Sequence, residues 1–482
     1  MQAANSNPSK VGKIDKVRRL VILFILTLTG LPAQSPFLQK PYLQLGNAAY
    51  LGREESIAVL WHTPDSDEDW RVEFRQGDGQ WRGEPGYVLR RINVRGLTPH
   101  RVYQAVLTGL IPGREFDYRV NLGGQTVFTS KGRARRAAGD PQRFAVYGDM
   151  SQDSEGQKAL AWQIHQAQPD YLLSVGDIVY SRGLASEYYR KYFPIYNCDQ
   201  GAPGKCGSIL RSILTMAVLG NHDAPNRVDF GSLPDALAYY YYWSQPLNGP
   251  LVDKNSGHIP ELRGNQEQLR EFSRSAPNFP RMGMFSFDYG DVHWLMLDSD
   301  SYVDWHDPQL REWVRKDLRA ASKSAWRIVA MHHPAFQSAH HHFDDQWMRQ
   351  MVHIFQEENV AVVFSGHVHN YQRTYPLKFT IDPADKDKTK KGKIKGHFQL
   401  DKEFDGSGKT KPNGIIHIVT GAGGGDLYDK KQETDKGSWQ EYTTAFAASV
   451  RSFTSVEATP ASLSFRQISQ DGKELDRFVI KR

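Results

Sequence analysis

The sequence predicts a small all-β sandwich followed by a larger, layered α/β domain, and two contrasts along the chain support that division. From Phe37 to Thr129, short alternating runs such as Ile57–Trp61, Arg71–Phe74 and Tyr103–Leu107 are separated by Gly, Pro and Asp. That is the pattern of short strands and tight turns. Beyond Pro141, apolar runs such as Phe144–Tyr147, Tyr171–Val175, Thr215–Leu219, Arg327–Met331 and Val360–Phe364 alternate with helical stretches, as in an α/β sheet.

Size and composition agree with two folded units. A chain of 482 residues exceeds one ordinary core, and 39% hydrophobic with 24% charged residues argues against long disorder.

The chain begins with Lys10, Lys13, Lys16, Arg18 and Arg19, then an apolar run from Leu20 to Leu31, then Pro32-Ala33-Gln34-Ser35. This layout predicts a signal peptide over residues 1–34 and export to a periplasmic or extracellular space. The apolar run is shorter than the ~20 residues that cross a bilayer, so no stable membrane insertion is expected once the segment is removed. No cysteine follows it to accept a lipid. Without the five cations and one anion of residues 1–33, the formal charge falls from +6 to +2. A nucleic-acid partner is therefore not expected.

Residues 36–130 form the expected sandwich. Within it, Leu110 to Val120, with Pro112-Gly113 followed by Phe116 and Tyr118, resembles a turn and strand of fibronectin type III domains. Residues 131–141, basic and rich in small side chains, are read as a linker, and residues 142–482 as the second domain. Cys198 and Cys206, the two cysteines of the chain, share one Gly-rich segment, and in an exported protein a local disulfide is the natural expectation. The lysines from Lys386 to Lys395 predict a solvated surface insertion. From Ser452 to Arg482 the alternation returns, with a turn at Asp471-Gly472.

Chemistry concentrates after the apolar runs of the second domain, where open α/β sheets present their functional groups. In order come Asp149, Asp177, Asn221 with His222, His332, and His367 with His369. Each alone has an ordinary reading as a turn or cap residue, but together they are a metal-ligand pattern.

The ordered set Gly148-Asp149, Gly176-Asp177, Gly220-Asn221-His222-Asp223, His332 and Gly366-His367-Val368-His369 resembles the five blocks of calcineurin-like metallophosphoesterases. Tyr180, three residues after Asp177, narrows the resemblance to purple acid phosphatases. Gly366 to Arg373, the strand from Phe285 to His293 and Gly421-Ala422-Gly423-Gly424 also look like that family.

The resemblance implies a β-sandwich flanked by helices, holding two cations bridged by Asp177. One cation takes Asp149, Asp177, Tyr180 and His369, and the other Asp177, Asn221, His332 and His367. Phenolate and carboxylate oxygens suit Fe(III) in the tyrosine-containing site. The neutral amide oxygen of Asn221 leaves the second site to a divalent ion such as Fe, Zn or Mn. His333 rivals His332, but the family pattern places the ligand two residues before Pro334.

The implied reaction is acid phosphatase hydrolysis of a small phosphate ester, with a metal-bound hydroxide as nucleophile. His222 is the expected proton donor to the leaving group, with Asp223 orienting its ring or starting a helix. His342, with His341 close behind, is the expected substrate contact. A phosphodiesterase using the same ligands is the alternative, and a non-catalytic binding protein ranks below both. Oligomeric state leaves no trace in the sequence.

Overall fold

Alternation within single strands sets the layers of this protein, seen in a computed structural model that describes residues 35–83, 86–250, 257–388 and 392–482. In the strand Gln142–Tyr147, Phe144 and Val146 point into one core while Ala145 and Tyr147 point into another. Successive side chains of a strand face opposite sides, so each sheet must be covered twice.

Two sheets pack face to face. The larger has ten strands, ordered Glu474–Lys481, Ser462–Ser469, Ser452–Ala458, Gln142–Tyr147, Tyr171–Ser174, Leu214–Ala217, Gln39–Gln44, Glu55–Pro64, His100–Leu110 and Val88–Ile92. The second has seven, ordered Phe285–Tyr289, Val292–Leu297, Trp326–Met331, Val362–Ser365, Ile416–Thr420, Tyr371–Thr374 and Thr443–Ala447. Their shared core holds Phe144, Tyr171, Trp294, Ile328 and Phe364, with the Tyr171 and Tyr289 rings stacked 4.1 Å apart.

Helices cover the outer faces. Glu155–Ala167, capped by the Ser154 side chain, buries Leu160 and Ile164 with Ala145 and Leu172 of the larger sheet. Pro308–Ala320, capped by Asp307, buries Leu310, Val314 and Leu318 against Leu295, Leu297 and Val329 of the other. The expected metallophosphoesterase β-sandwich flanked by helices is therefore present.

The N-terminal β region is present as well. A four-stranded sheet, Arg82–Gly83, Trp70–Arg75, Glu115–Leu122 and Gln125–Arg133, packs Trp70, Phe74 and Tyr118 into one core with Trp61 and Tyr103. The opposing sheet is not separate. Gln44 pairs in parallel with Thr215, which makes the N-terminal strands the far end of the ten-stranded sheet.

Cys198 and Cys206 are joined by a disulfide across the hairpin Asn197–Ala202 and Cys206–Ser208. At the C-terminal end, Ser462–Ser469 and Glu474–Lys481 pair around the Asp471-Gly472 turn, where Gly472 takes φ +75°. The expected signal segment, 1–34, lies outside the described residues, and no described helix is long and apolar enough to cross a membrane.

Candidate metal centre

Parallel pairing brings the candidate residues to one end of the sandwich. The strands Gln142–Tyr147, Tyr171–Ser174 and Leu214–Ala217 run parallel in one sheet, and Trp326–Met331 and Val362–Ser365 run parallel in the other. Their C-terminal ends lead to Asp149, Asp177, Asn221, His332 and His367.

The loops there are forced. Asp149, Asp177 and His367 have φ of 56°, 51° and 67°, a left-handed backbone that side-chain-bearing residues adopt at a cost of about 1–3 kcal/mol. Close approach excludes side chains around Asp149: a Cβ on Gly366 or Gly421 would sit 2.7 or 2.6 Å from its Oδ2.

Three donors meet on one side. The Tyr180 hydroxyl donates to Asp149 Oδ1 at 2.8 Å and lies 2.8 Å from His369 Nε2, which is itself 3.2 Å from Asp149 Oδ1. His369 Nδ1 donates to the Asp426 carbonyl at 2.7 Å, and its ring stacks on Tyr428 at 4.1 Å. Burial, followed by Asp149 and Asp177, raises the Tyr180 hydroxyl well above its usual range.

Asp177 stands in the middle. Its Oδ1 accepts the His222 backbone N–H at 2.9 Å, while Oδ2 is 3.4 Å from His332 Nε2 and 3.8 Å from His222 Nε2. One ligand atom each from Asp149, Asp177 and His332 lie within 4.8 Å of one another. Burial works against the Asp177 charge, but His332 and His222 outweigh it and hold the carboxyl well below its usual range. The same pair acts in reverse on His332: burial lowers its pKa, Asp177 raises it more, and the result is about 10. Two carboxylates buried side by side, Asp149 and Asp177, call for positive charge beside them.

His332 completes the second side. Its Nδ1 donates to the Val175 carbonyl at 2.8 Å, and Nε2 lies 3.2 Å from Asn221 Oδ1. His332 and His369 are thus both held through Nδ1 by backbone carbonyls with Nε2 turned to the cluster, the usual setting of a metal-ligating histidine. The oxygen and nitrogen donors fit two hard or borderline cations. His333 stays beside the cluster, its ring 4.3 Å from His367 and one ligand atom each of His332, His333 and His367 within 4.8 Å of one another, while its Nδ1 lies 3.1 Å from Ser299 Oγ and its Nε2 3.9 Å from Asp300.

His367 is brought to the cluster, its backbone N–H donating to Asp149 Oδ2 at 3.0 Å, but its Nε2 points to Asp345 Oδ2 at 3.0 Å. Burial lowers its pKa to about 4, against the pull of Asp345. His342 lies against it, ring centroids 4.1 Å apart, with Nδ1 3.2 Å from the same Asp345 oxygen. His341 sits one ring further out, stacked on Tyr428 at 4.6 Å and paired with Asp429 at 3.0 Å.

His222 is anchored by Nδ1 to the Ser181 carbonyl at 2.7 Å, and its ring packs on Tyr180 at 4.7 Å. Asp223 is the residue read as orienting that ring or starting a helix. Its carboxylate accepts the backbone N–H groups of Ile178 and Gly220, at 3.0 and 3.1 Å, and so ties the Asp177 loop to the Asn221 loop.

Sequence reasoning missed Asp345, Asp426 and Tyr428. An acid three residues after His342 was the available signal for the first. A carbonyl acceptor and a stacking ring leave no signal. The lysine-rich insertion also differs from a freely solvated loop: Gly392 N–H donates to the Asp344 carbonyl at 2.8 Å and Ile394 N–H to Gln346 Oε1 at 2.9 Å, bracing the turn that carries Asp345.

This fold and donor set define a calcineurin-like phosphoesterase, and residues 142–371, which include every candidate ligand, match the family described by that name. Purple acid phosphatase 18 of Arabidopsis thaliana is 30% identical over 386 residues, covering 78% of this chain and 70% of that protein. Purple acid phosphatase 23 of the same plant is 35% identical over 261 residues, or 51% of this chain and 50% of that protein. The structure of purple acid phosphatase PPD1 from yellow lupin seeds shares the fold, with a TM-score of 0.64 and 18% identity over 92% of this chain and 74% of that one. The chain belongs to the purple acid phosphatase family and is a phosphoesterase.

Proposed function

We propose that this protein is an exported acid phosphatase that hydrolyses small phosphate monoesters at a dinuclear metal centre. Fe(III) is assigned to Asp149, Asp177, Tyr180 and His369, and divalent Fe, Zn or Mn to Asp177, Asn221, His332 and His367. The observation that carries the reading is the Tyr180 hydroxyl, 2.8 Å from both Asp149 Oδ1 and His369 Nε2, which adds a phenol to the first donor set. Export rests on the basic and apolar pattern of residues 1–34. Residues 36–130 are read as a fibronectin type III-like module, 131–141 as its linker and 142–482 as the catalytic domain.

Two cations held by these residues would supply positive charge for the phosphoryl oxygens and a hydroxide nucleophile. The chain's own residues do the rest. Val175 and Asp426 carbonyls fix His332 and His369 in the ligating tautomer. His222, held by Ser181 through Nδ1, keeps Nε2 toward the site and gives a proton to the departing alkoxide. His342, whose ring lies 4.1 Å from that of His367, contacts a phosphoryl oxygen.

The test compares phosphate release from an aryl monoester with cleavage of the matching diester, using iron- and zinc-loaded protein from pH 4 to 8. Monoester preference at acidic pH supports the proposal. Dominant diester cleavage moves the protein to the phosphodiesterase reading, and turnover of neither refutes a general phosphatase.

A further inference from the structure

We propose that the lysine-bearing face of the hairpin Leu377–Ile381 and Gly396–Leu400, with Lys386 and Lys393 beside it, docks the protein on an anionic phospholipid surface. The attachment is peripheral and electrostatic, and it needs neither a membrane-spanning segment nor the phosphatase reading.

Positive charge concentrates in this part of the chain. From Lys378 to Lys411 there are ten lysines and six acids, a net of +4, although residues 34–482 together carry only +2. Strand alternation sorts the hairpin into two faces. Leu377, Phe379 and Phe398 turn to the core, where the Phe379 and Phe398 rings pack on Phe336 at 5.3 and 5.6 Å. Lys378 and Thr380 stand opposite Gln399 and His397 on the other face, which is exposed.

The acids of the segment are mostly engaged by backbone. Asp385 accepts the Lys395 N–H at 2.6 Å, Asp401 those of Phe404 and Asn413 at 3.2 and 2.9 Å, and Asp405 those of Ser407 and Gly408 at 2.7 and 2.8 Å. Asp382 lies 3.4 Å from His397, and Lys393 lies 3.8 Å from Asp344. Lys378, Lys386 and Lys395, all exposed, pair with no carboxylate among the described residues.

The chemistry of these cations selects the partner. A lysine ammonium on a flexible stem is a hydrated point charge, suited to a diffuse field of lipid phosphates. Single-stranded nucleic acids are held instead by aromatic platforms and arginine, and neither an arginine nor a Phe, Tyr or Trp stands on this face. Lys393 Nζ lies 5.5 Å from the centre of the Phe343 ring, one residue after His342. A docked molecule therefore holds the rim of the metal centre beside the lipid.

The experiment uses residues 35–482, which contain every described strand and helix, so that the basic and apolar leader cannot bind lipid itself. Co-sedimentation is measured with vesicles of phosphatidylglycerol and phosphatidylcholine, one part to three. The parent is expected to bind them at ~0.05 M salt, to leave them at ~0.5 M, and to ignore pure phosphatidylcholine. Changing Lys378, Lys386, Lys393 and Lys395 together to Gln is expected to weaken binding about 10-fold or more, and changing the same four to Arg to preserve it. Changing four exposed lysines elsewhere, Lys131, Lys316, Lys323 and Lys473, to Gln is expected to leave binding close to the parent's. A parent that ignores the anionic vesicles, or equal weakening by the distant four, overturns the proposal. So does tighter binding to DNA than to vesicles at the same salt and phosphate concentration.

Discussion

Arg135 and Glu55 form an ion pair with no exposure of either side chain, Nη2 lying 2.8 Å from Oε1 and Nε 2.5 Å from Oε2. Arg135 comes from the segment between the smaller sheet and the strand Gln142–Tyr147, and its Nη1 also reaches the carbonyls of Ala49 and Asp288. One guanidinium therefore joins the N-terminal strands to the seven-stranded sheet.

Removing either partner strands a buried charge. Arg135→Ala or Glu55→Ala is expected to cost about 3–5 kcal/mol, whereas replacing both with apolar residues of similar volume costs far less. Denaturant unfolding of the singles and the double measures this. Equal losses in all three would show that packing, not charge, holds the junction.

Tyr180 offers a spectroscopic prediction. Iron-loaded protein is expected to show a visible phenolate-to-iron band, and Tyr180→Phe to lose it while keeping the fold, since one hydroxyl contributes about 1 kcal/mol. Absorption and circular dichroism spectra check the two halves. A band that survives in Tyr180→Phe would remove Tyr180 from the ligand set.

His293 sets a stability profile away from the site. Its ring lies between Asp288 at 2.7 Å and Asp317 at 2.9 Å. Burial opposes its charge, but the two carboxylates outweigh that and push its pKa from 6.5 up to about 9. A raised folded-state pKa means stabilisation that is full below pH 6.5 and fades as pH climbs through 9, on the order of 3 kcal/mol in all. Urea midpoints between pH 6 and 10 should fall more steeply in the parent than in His293→Gln. A parent profile no steeper than the variant's would refute the clamp.

The residues legible in the sequence are those whose chemistry follows directly on a strand. Asp149, Asp177, Asn221, His332 and His367 each sit within four residues of the end of an apolar run, so pattern and residue type coincide. Asp426 and Tyr428 did not stand out because their partners lie far along the chain or use backbone atoms, which no periodicity encodes, and Asp345 carried only its spacing of three residues from His342. The joining of Gln44 to Thr215 was hidden for a similar reason: pairing between distant strands leaves only a generic strand signal in each. Arg135 misled by type, since a basic, small-residue stretch reads as solvated until its counter-charge, 80 residues away, is in view.

Asp223 carries the last prediction, because it joins two ligand loops without touching either ligand's donor atoms. Its buried carboxylate receives the Ile178 and Gly220 N–H groups, next to Asp177 and Asn221. Asp223→Ala would leave both donors buried and unmet, at about 1–3 kcal/mol each, and free the two loops to separate. Asp223→Asn keeps one oxygen acceptor and should do less harm. The expected result is that Asp223→Ala binds fewer metal ions per chain than the parent's two on the proposed assignment, with Asp223→Asn in between, as measured by elemental analysis after dialysis. If Asp223→Ala instead retained full metal content and lost only turnover, the residue would act on His222 after all.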